Sequence, residues 1–99
     1  MVTVIATLKV KSGNEAAFEA AAQEMIAHVK ANEPGTLTYV FHRATGDATQ
    51  FAVYELYKDQ AALAAHSSSE ILQKFFGTVG GMLDGRPAIT MYEPIGGKS

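Results

Sequence analysis

Residues 50–57 read Gln-Phe-Ala-Val-Tyr-Glu-Leu-Tyr, and this stretch decides the fold. Its period-two alternation sets Phe51, Val53 and Tyr57 on one face and Ala52, Tyr54 and Leu56 on the other, the pattern of a strand that is apolar on both sides. Residues 36–43 form a second such strand, with Leu37, Tyr39 and Phe41 to one side and Val40 to the other. Ala44-Thr45-Gly46-Asp47-Ala48-Thr49 joins the two, and the turn chemistry of Gly46-Asp47 makes them an antiparallel hairpin. A sheet open to water on one side is polar there. This pair is not, so something must cover the second face, and a second copy of the chain is the simplest cover.

The flanking segments complete the pattern. Residues 2–10 alternate Val2, Val4, Ala6, Leu8 and Val10 against Thr3, Ile5, Thr7 and Lys9, another strand. Ser12-Gly13-Asn14-Glu15 has capping-box spacing, and Phe18, Ala22, Met25 and Val29 follow as one apolar helical stripe. Lys30 suits the last turn of that helix, and Pro34-Gly35 ends it. Asp59 caps a second helical stretch through Ala61, Ala62, Leu63 and His66. Ser67-Ser68-Ser69 interrupts it, and Ser67 with Glu70 repeats the capping spacing, so the helix restarts toward Ile71, Leu72, Phe75, Phe76 and Val79. Residues 88–93 are the last strand. The order β-α-β-β-α-β is the split βαβ arrangement, an α+β fold with a four-stranded antiparallel sheet and both helices on one face. One domain spans 1–95, with 96–99 as a tail.

Composition narrows the function. The chain has 99 residues and 10.5 kDa, enough for one core. Eight Lys and Arg against ten Asp and Glu leave a net charge of −2, which offers no basic stripe for nucleic acid. Without cysteine there is no disulfide scaffold, thiolate zinc site or thiol catalysis. No apolar run approaches the roughly 18 residues of a membrane span. The opening Met-Val-Thr-Val-Ile lacks a charged leader region, so a cytoplasmic location is expected for the homodimer that the two-faced sheet implies.

His66 is the residue best suited to move a proton near neutral pH. At a helix end it is not expected in the core, so its removal should leave the fold intact. Glu55 falls on the strand face of Phe51, Val53 and Tyr57, where a carboxyl needs a partner, and His42 and Arg43 on the neighbouring strand are available. Tyr39, Tyr54, Tyr57 and Tyr92 all lie on strands, and with Phe41, Phe51, Phe75 and Phe76 they can line an aromatic pocket. His66 and Glu70 have helical spacing for a metal, but the serine break spoils it and no third ligand is indicated.

Taken together, the pieces resemble the antibiotic biosynthesis monooxygenase domain, a family of small dimeric ferredoxin-like proteins. The matching features are the first strand running into Lys11-Ser12-Gly13-Asn14-Glu15-Ala16-Ala17-Phe18, the junction Glu33-Pro34-Gly35-Thr36-Leu37-Thr38-Tyr39, the segment from Phe51 to Asp59 followed by Ala62-Leu63 and His66, and the Pro-led strand from Pro87 to Tyr92. The resemblance implies a dimeric α/β-barrel assembly with a cavity between sheet and helices in each protomer. It also implies oxygenase chemistry on quinols or polycyclic phenols without metal or flavin, because an electron-rich phenolate can itself reduce O₂. The substrates are then a small aromatic molecule and molecular oxygen, and no cofactor is expected. By the same resemblance His66 is the catalytic residue and Tyr54, Glu55 and Tyr57 are substrate-binding candidates, to which the aromatic inventory adds Tyr39, Phe41 and Phe76.

The chain departs from haem-degrading relatives, since Ala6 and Phe76 stand at the approximate places of their Asn and His and no Trp is present. Other relatives isomerise small phosphorylated signalling sugars and share the Glu-x-Tyr and His pattern. A non-catalytic dimeric module that binds a small apolar ligand would use the same pocket.

Overall fold

The computed structural model describes residues 1–98; Ser99, the end of the expected tail, lies outside the described residues. Strand β1 spans Val2–Lys9, helix α1 Glu15–Asn32, β2 Thr36–Ala44, β3 Asp47–Tyr57, α2 Gln60–Ser67, α3 Glu70–Val79 and β4 Ala88–Tyr92. A single 3₁₀ turn, Gly80–Met82, follows α3. The sheet order is β2-β3-β1-β4 and every neighbouring pair is antiparallel. The split βαβ layout is therefore as expected, with α1, α2 and α3 on one face.

The core lies between sheet and helices. Phe18, Ala22, Met25 and Val29 of α1 are all buried, as their spacing demands, and meet Ala6, Leu8, Phe51, Val53, Phe75 and Val79. Phe18 anchors this layer, its ring 4.7 Å from that of Phe51 and edge-on to Phe41 and Phe75. A smaller cluster of Val2, Val4 and Tyr57 packs under Ala62 and Leu63 of α2.

Local details depart from the sequence expectation in four places. Helix α1 begins later than the proposed box: Asn14 is its N-cap without a side-chain cap bond, while Glu15 accepts from the Gly13 amide. Gly13 takes a positive φ of 95°, which suits its missing Cβ. The helix restart comes where the serines stand, but Ser69 rather than Ser67 caps α3, its Oγ accepting from the Leu72 amide. The β2–β3 hairpin is tighter than the six-residue joint suggests, for Ala44 pairs with Asp47 across Thr45-Gly46. Finally, a bulge between Thr36 and Thr38 ejects Leu37 from the face of Tyr39 and Phe41 and leaves it 48% exposed.

The second face of the sheet carries Ile5, Val40, Tyr54 and Tyr92, all exposed, beside half-buried Ala52 and Leu56. No helix of the described residues is long and apolar enough to cross a membrane.

Candidate active site

Helix α2 is short and firmly held at its start. Asp59 Oδ1 accepts from the Ala62 amide at 2.9 Å, as a capping aspartate should. One turn later the segment Glu33-Pro34-Gly35 passes so close that a Cβ on Gly35 would stand 2.7 Å from that of Ala62. Only glycine permits this approach. The Gly35 carbonyl also accepts from the Lys58 amide at 2.9 Å, so the junction after α1 and the start of α2 are fastened together.

That contact brings Glu33 to His66. The imidazole is 3% exposed, so it belongs to the core, contrary to the expectation for a helix-end residue. Its Nδ1 lies 2.8 Å from Glu33 Oε1, which also accepts from Thr36 Oγ1 at 2.8 Å. Such a carboxylate partner fixes the tautomer with the proton on Nδ1 and leaves the Nε2 lone pair free. The other Glu33 oxygen, Oε2, is buried and has no hydrogen-bond partner among the described residues. Glu33 was not singled out from sequence as a site residue; within Glu33-Pro34-Gly35 it reads as part of a helix stop.

On the far side of the ring, Nε2 is 3.9 Å from Glu55 Oε1, too long for a hydrogen bond. The Glu55 carboxyl instead accepts from the Tyr57 hydroxyl. Neither of its expected partners is used: His42 projects from the opposite face of β2, and Arg43 pairs with Glu19 at 3.0 Å. The imidazole is flanked by the rings of Tyr39 and Tyr57, at 5.1 and 5.5 Å between centroids. Burial, reinforced by the Glu55 and Glu33 carboxyls, holds the Tyr39 phenol well above its ordinary range. Burial and the hydrogen bond to Glu55 do the same to Tyr57. Both phenols therefore stay protonated at neutral pH and neither is a base. Burial also pushes the Glu55 carboxyl up, and the Tyr57 hydrogen bond and the attraction that a protonated His66 would exert only partly oppose it.

Beside this cluster, between the sheet and the helices α2 and α3, lies a cavity of about 200 Å³. Glu55 and His66 reach it from β3 and α2; Leu72, Phe75 and Phe76 wall it from α3, and Ile89 and Met91 from β4. Of the residues expected to contact substrate, Phe41, Glu55 and Phe76 line it together with His66. Tyr39 and Tyr57 stand behind the imidazole rather than in the lining. Tyr54 does not join them, because the alternation of β3 turns it to the opposite face, where it is 39% exposed. Among the described residues no three His, Asp or Glu side chains converge to hold a metal ion.

Solved structures of similar proteins share this arrangement of elements. The family model for antibiotic biosynthesis monooxygenases matches residues 1–78. A Bacillus subtilis (strain 168) protein named "Putative monooxygenase YcnE" is 31% identical over 75 residues, covering 76% of this chain and 78% of that protein. Among solved structures, one from Caulobacter crescentus CB15, described as an antibiotic biosynthesis monooxygenase on the same provisional terms, superposes with a TM-score of 0.91 at 33% identity over 96% of this chain and 90% of its own. PA3566 from Pseudomonas aeruginosa gives 0.86 at 26% identity over 96% and 94%. With the family's model spanning the first strand, the hairpin and the helix that carries His66, the chain belongs to the antibiotic biosynthesis monooxygenase family.

Proposed function

We propose that the protein is a cofactor-independent monooxygenase that oxidises a small quinol or polyphenol in the cavity beside His66. One observation carries the reading: a buried histidine, its Nδ1 held by Glu33, presents Nε2 at the wall of a largely apolar cavity. That is the equipment for taking a proton from a phenol or from the ring CH₂ of its keto tautomer. The resulting anion passes one electron to O₂, and recombination forms a C–O bond. The peroxide so formed takes the proton back from the imidazolium. Cleavage of the O–O bond with loss of the second C–H then releases water and leaves a carbonyl. One oxygen atom enters the product and one leaves as water, and all four electrons come from the substrate carbon. Apolar side chains of α3 and β4 border the site and limit the water around the anion.

The cavity is smaller than the roughly 300–1,000 Å³ of drug-sized pockets, which favours one- or two-ring substrates. Its lining holds no Lys or Arg, so nothing there is suited to a phosphorylated sugar. Oxygen uptake with a panel of one- and two-ring quinols, on metal-stripped protein, tests the proposal, and ¹⁸O₂ should place one labelled atom in the product. The His66→Ala variant should turn over roughly 10²-fold more slowly or worse. Tight quinol binding with no oxygen consumed would make the protein a binding module instead.

A further inference from the structure

Two carboxyl groups flank one imidazole at this cavity, and the lining offers no other cation. A single imidazolium balances only one carboxylate, and a second would stand uncompensated against apolar walls. Geometry separates the two. Glu33 Oε1 has the close contact to Nδ1 and a second donor in Thr36, as a carboxylate needs. The Glu55 carboxyl is 3.9 Å from Nε2, and its single hydrogen bond comes from Tyr57 to Oε1. Its Oε2 has no protein partner among the described residues and is not sealed in like Glu33 Oε2, and Glu55 is one of the residues that line the cavity.

We infer that Glu55 acts as a neutral carboxylic acid, its Oε2–H donating to the substrate oxyanion that forms when His66 Nε2 takes a phenolic proton. The inference rests on the reading of this cavity as a phenol-oxidising site and adds the group that stabilises the anion. Nε2 stands 3.9 Å from Oε1 of the Glu55 carboxyl, too far to bond it, and both side chains line the same cavity, so one substrate oxygen can approach the two groups. The titratable groups facing Glu55 are Tyr57 on its own strand, Tyr39 on β2, Glu33 after α1 and His66 on α2. Of these, burial and the Glu33 carboxyl favour the protonated acid, against Tyr57 and His66. A carboxyl kept neutral by apolar surroundings is an effective oxyanion donor. The assignment also resolves a conflict, since a second carboxylate would repel the anion that the reaction must form.

The probe is 4-nitrophenol, titrated below its solution pKa, where the free molecule is mostly colourless and the bound phenolate is yellow. The wild type should bind the coloured anion. Glu55→Gln, whose amide N–H still donates, should bind it within a few-fold of wild type, and Glu55→Ala should weaken it roughly 10- to 100-fold. Tightening by tenfold or more in Glu55→Gln would mark the native group as a carboxylate and overturn the inference. So would a loss in Glu55→Gln equal to that in Glu55→Ala, or failure of the wild type to bind the phenolate. Should Glu55→Ala not fold, the infrared difference spectrum of wild type against Glu55→Gln at neutral pH decides: a protonated-carboxyl C=O band supports the assignment and its absence refutes it. Oxygen uptake reports separately on the parent reading. If no quinol is oxidised while the probe series behaves as expected, the oxygenase fails and the donor stands; if quinols are oxidised and the probe series fails, the reverse holds.

Discussion

Truncating Glu33 tests whether the site is held together as described. Glu33→Ala removes the acceptor 2.8 Å from His66 Nδ1 and leaves a donor stranded on a ring that is 3% exposed. It also strips Thr36 Oγ1 of its partner. A hydrogen bond to a charged group contributes about 1.5–3 kcal/mol, and the buried orphan donor keeps the loss in the upper half of that range. Deleting Oε2, already without a partner, returns part of the cost. A net loss of about 2–3 kcal/mol corresponds to roughly 10–20 °C in Tm for a domain of this size. Glu33→Gln keeps a neutral acceptor and should lose about half as much. Glu24→Ala, on the exposed side of α1, is the control and should stay within about 0.5 kcal/mol. Thermal and urea denaturation give the energies. ¹⁵N NMR of the imidazole gives the tautomer, with Nδ1 protonated in the wild type and a mixture in Glu33→Ala. A Glu33→Ala loss no larger than that of Glu24→Ala, or a wild-type ring protonated on Nε2 alone, would refute the reasoning.

The buried Glu55 carboxyl makes stability depend on pH. Its folded value lies above the ordinary 4.5, so the native state binds more protons in the window just above that value, and stability falls as pH rises through it. Urea midpoints across this window should show that slope in the wild type and a flatter one in Glu55→Gln; identical slopes would disprove it. Because His66 is buried against Glu33, His66→Ala should also lower Tm, and an unchanged melting curve would contradict the packing. We expect the outer sheet face bearing Ile5, Val40, Tyr54 and Tyr92 to pair with a second copy of the chain. Light scattering should therefore give twice the 10.5 kDa chain mass, and the double variant Val40→Lys, Tyr54→Lys should halve it. A wild-type mass of one chain would refute the pairing.

The fold was legible because its signals are local and periodic. The α1 stripe, the alternation of β1 and β3, the Asp59 cap and the break at the serines each need only a few neighbouring residues. The bulge at Leu37 was not, since alternation counts residues and cannot see one that drops out of register. The site was half legible. His66 and Glu55 stood out as polar groups on apolar elements, and alternation already parted Tyr54 from Tyr57, although it could not say which face the helices would cover. Glu33 lies 33 positions before His66, in a junction whose Pro and Gly announce a helix end. Nothing in its local pattern marks it, because the contact is created by the close approach of Gly35 to Ala62.

The two-piece helix has an evolutionary consequence. Glu33, Glu55 and His66 sit on the junction after α1, on β3 and on α2, where the Gly35–Ala62 contact and the Asp59 cap fasten the junction to α2. Part of the cavity wall, Leu72, Phe75 and Phe76 with Ile89 and Met91, sits beyond the break at Ser68 on α3, or on the sheet-edge strand β4. Under the proposed function, the reactive groups and this part of the cavity wall occupy separately adjustable parts. Exchanging one bulky side chain on α3 or β4 for another can reshape what the cavity admits while the Glu33–His66 pair keeps its geometry. A descendant or a designer can change the guest without rebuilding the host's chemistry.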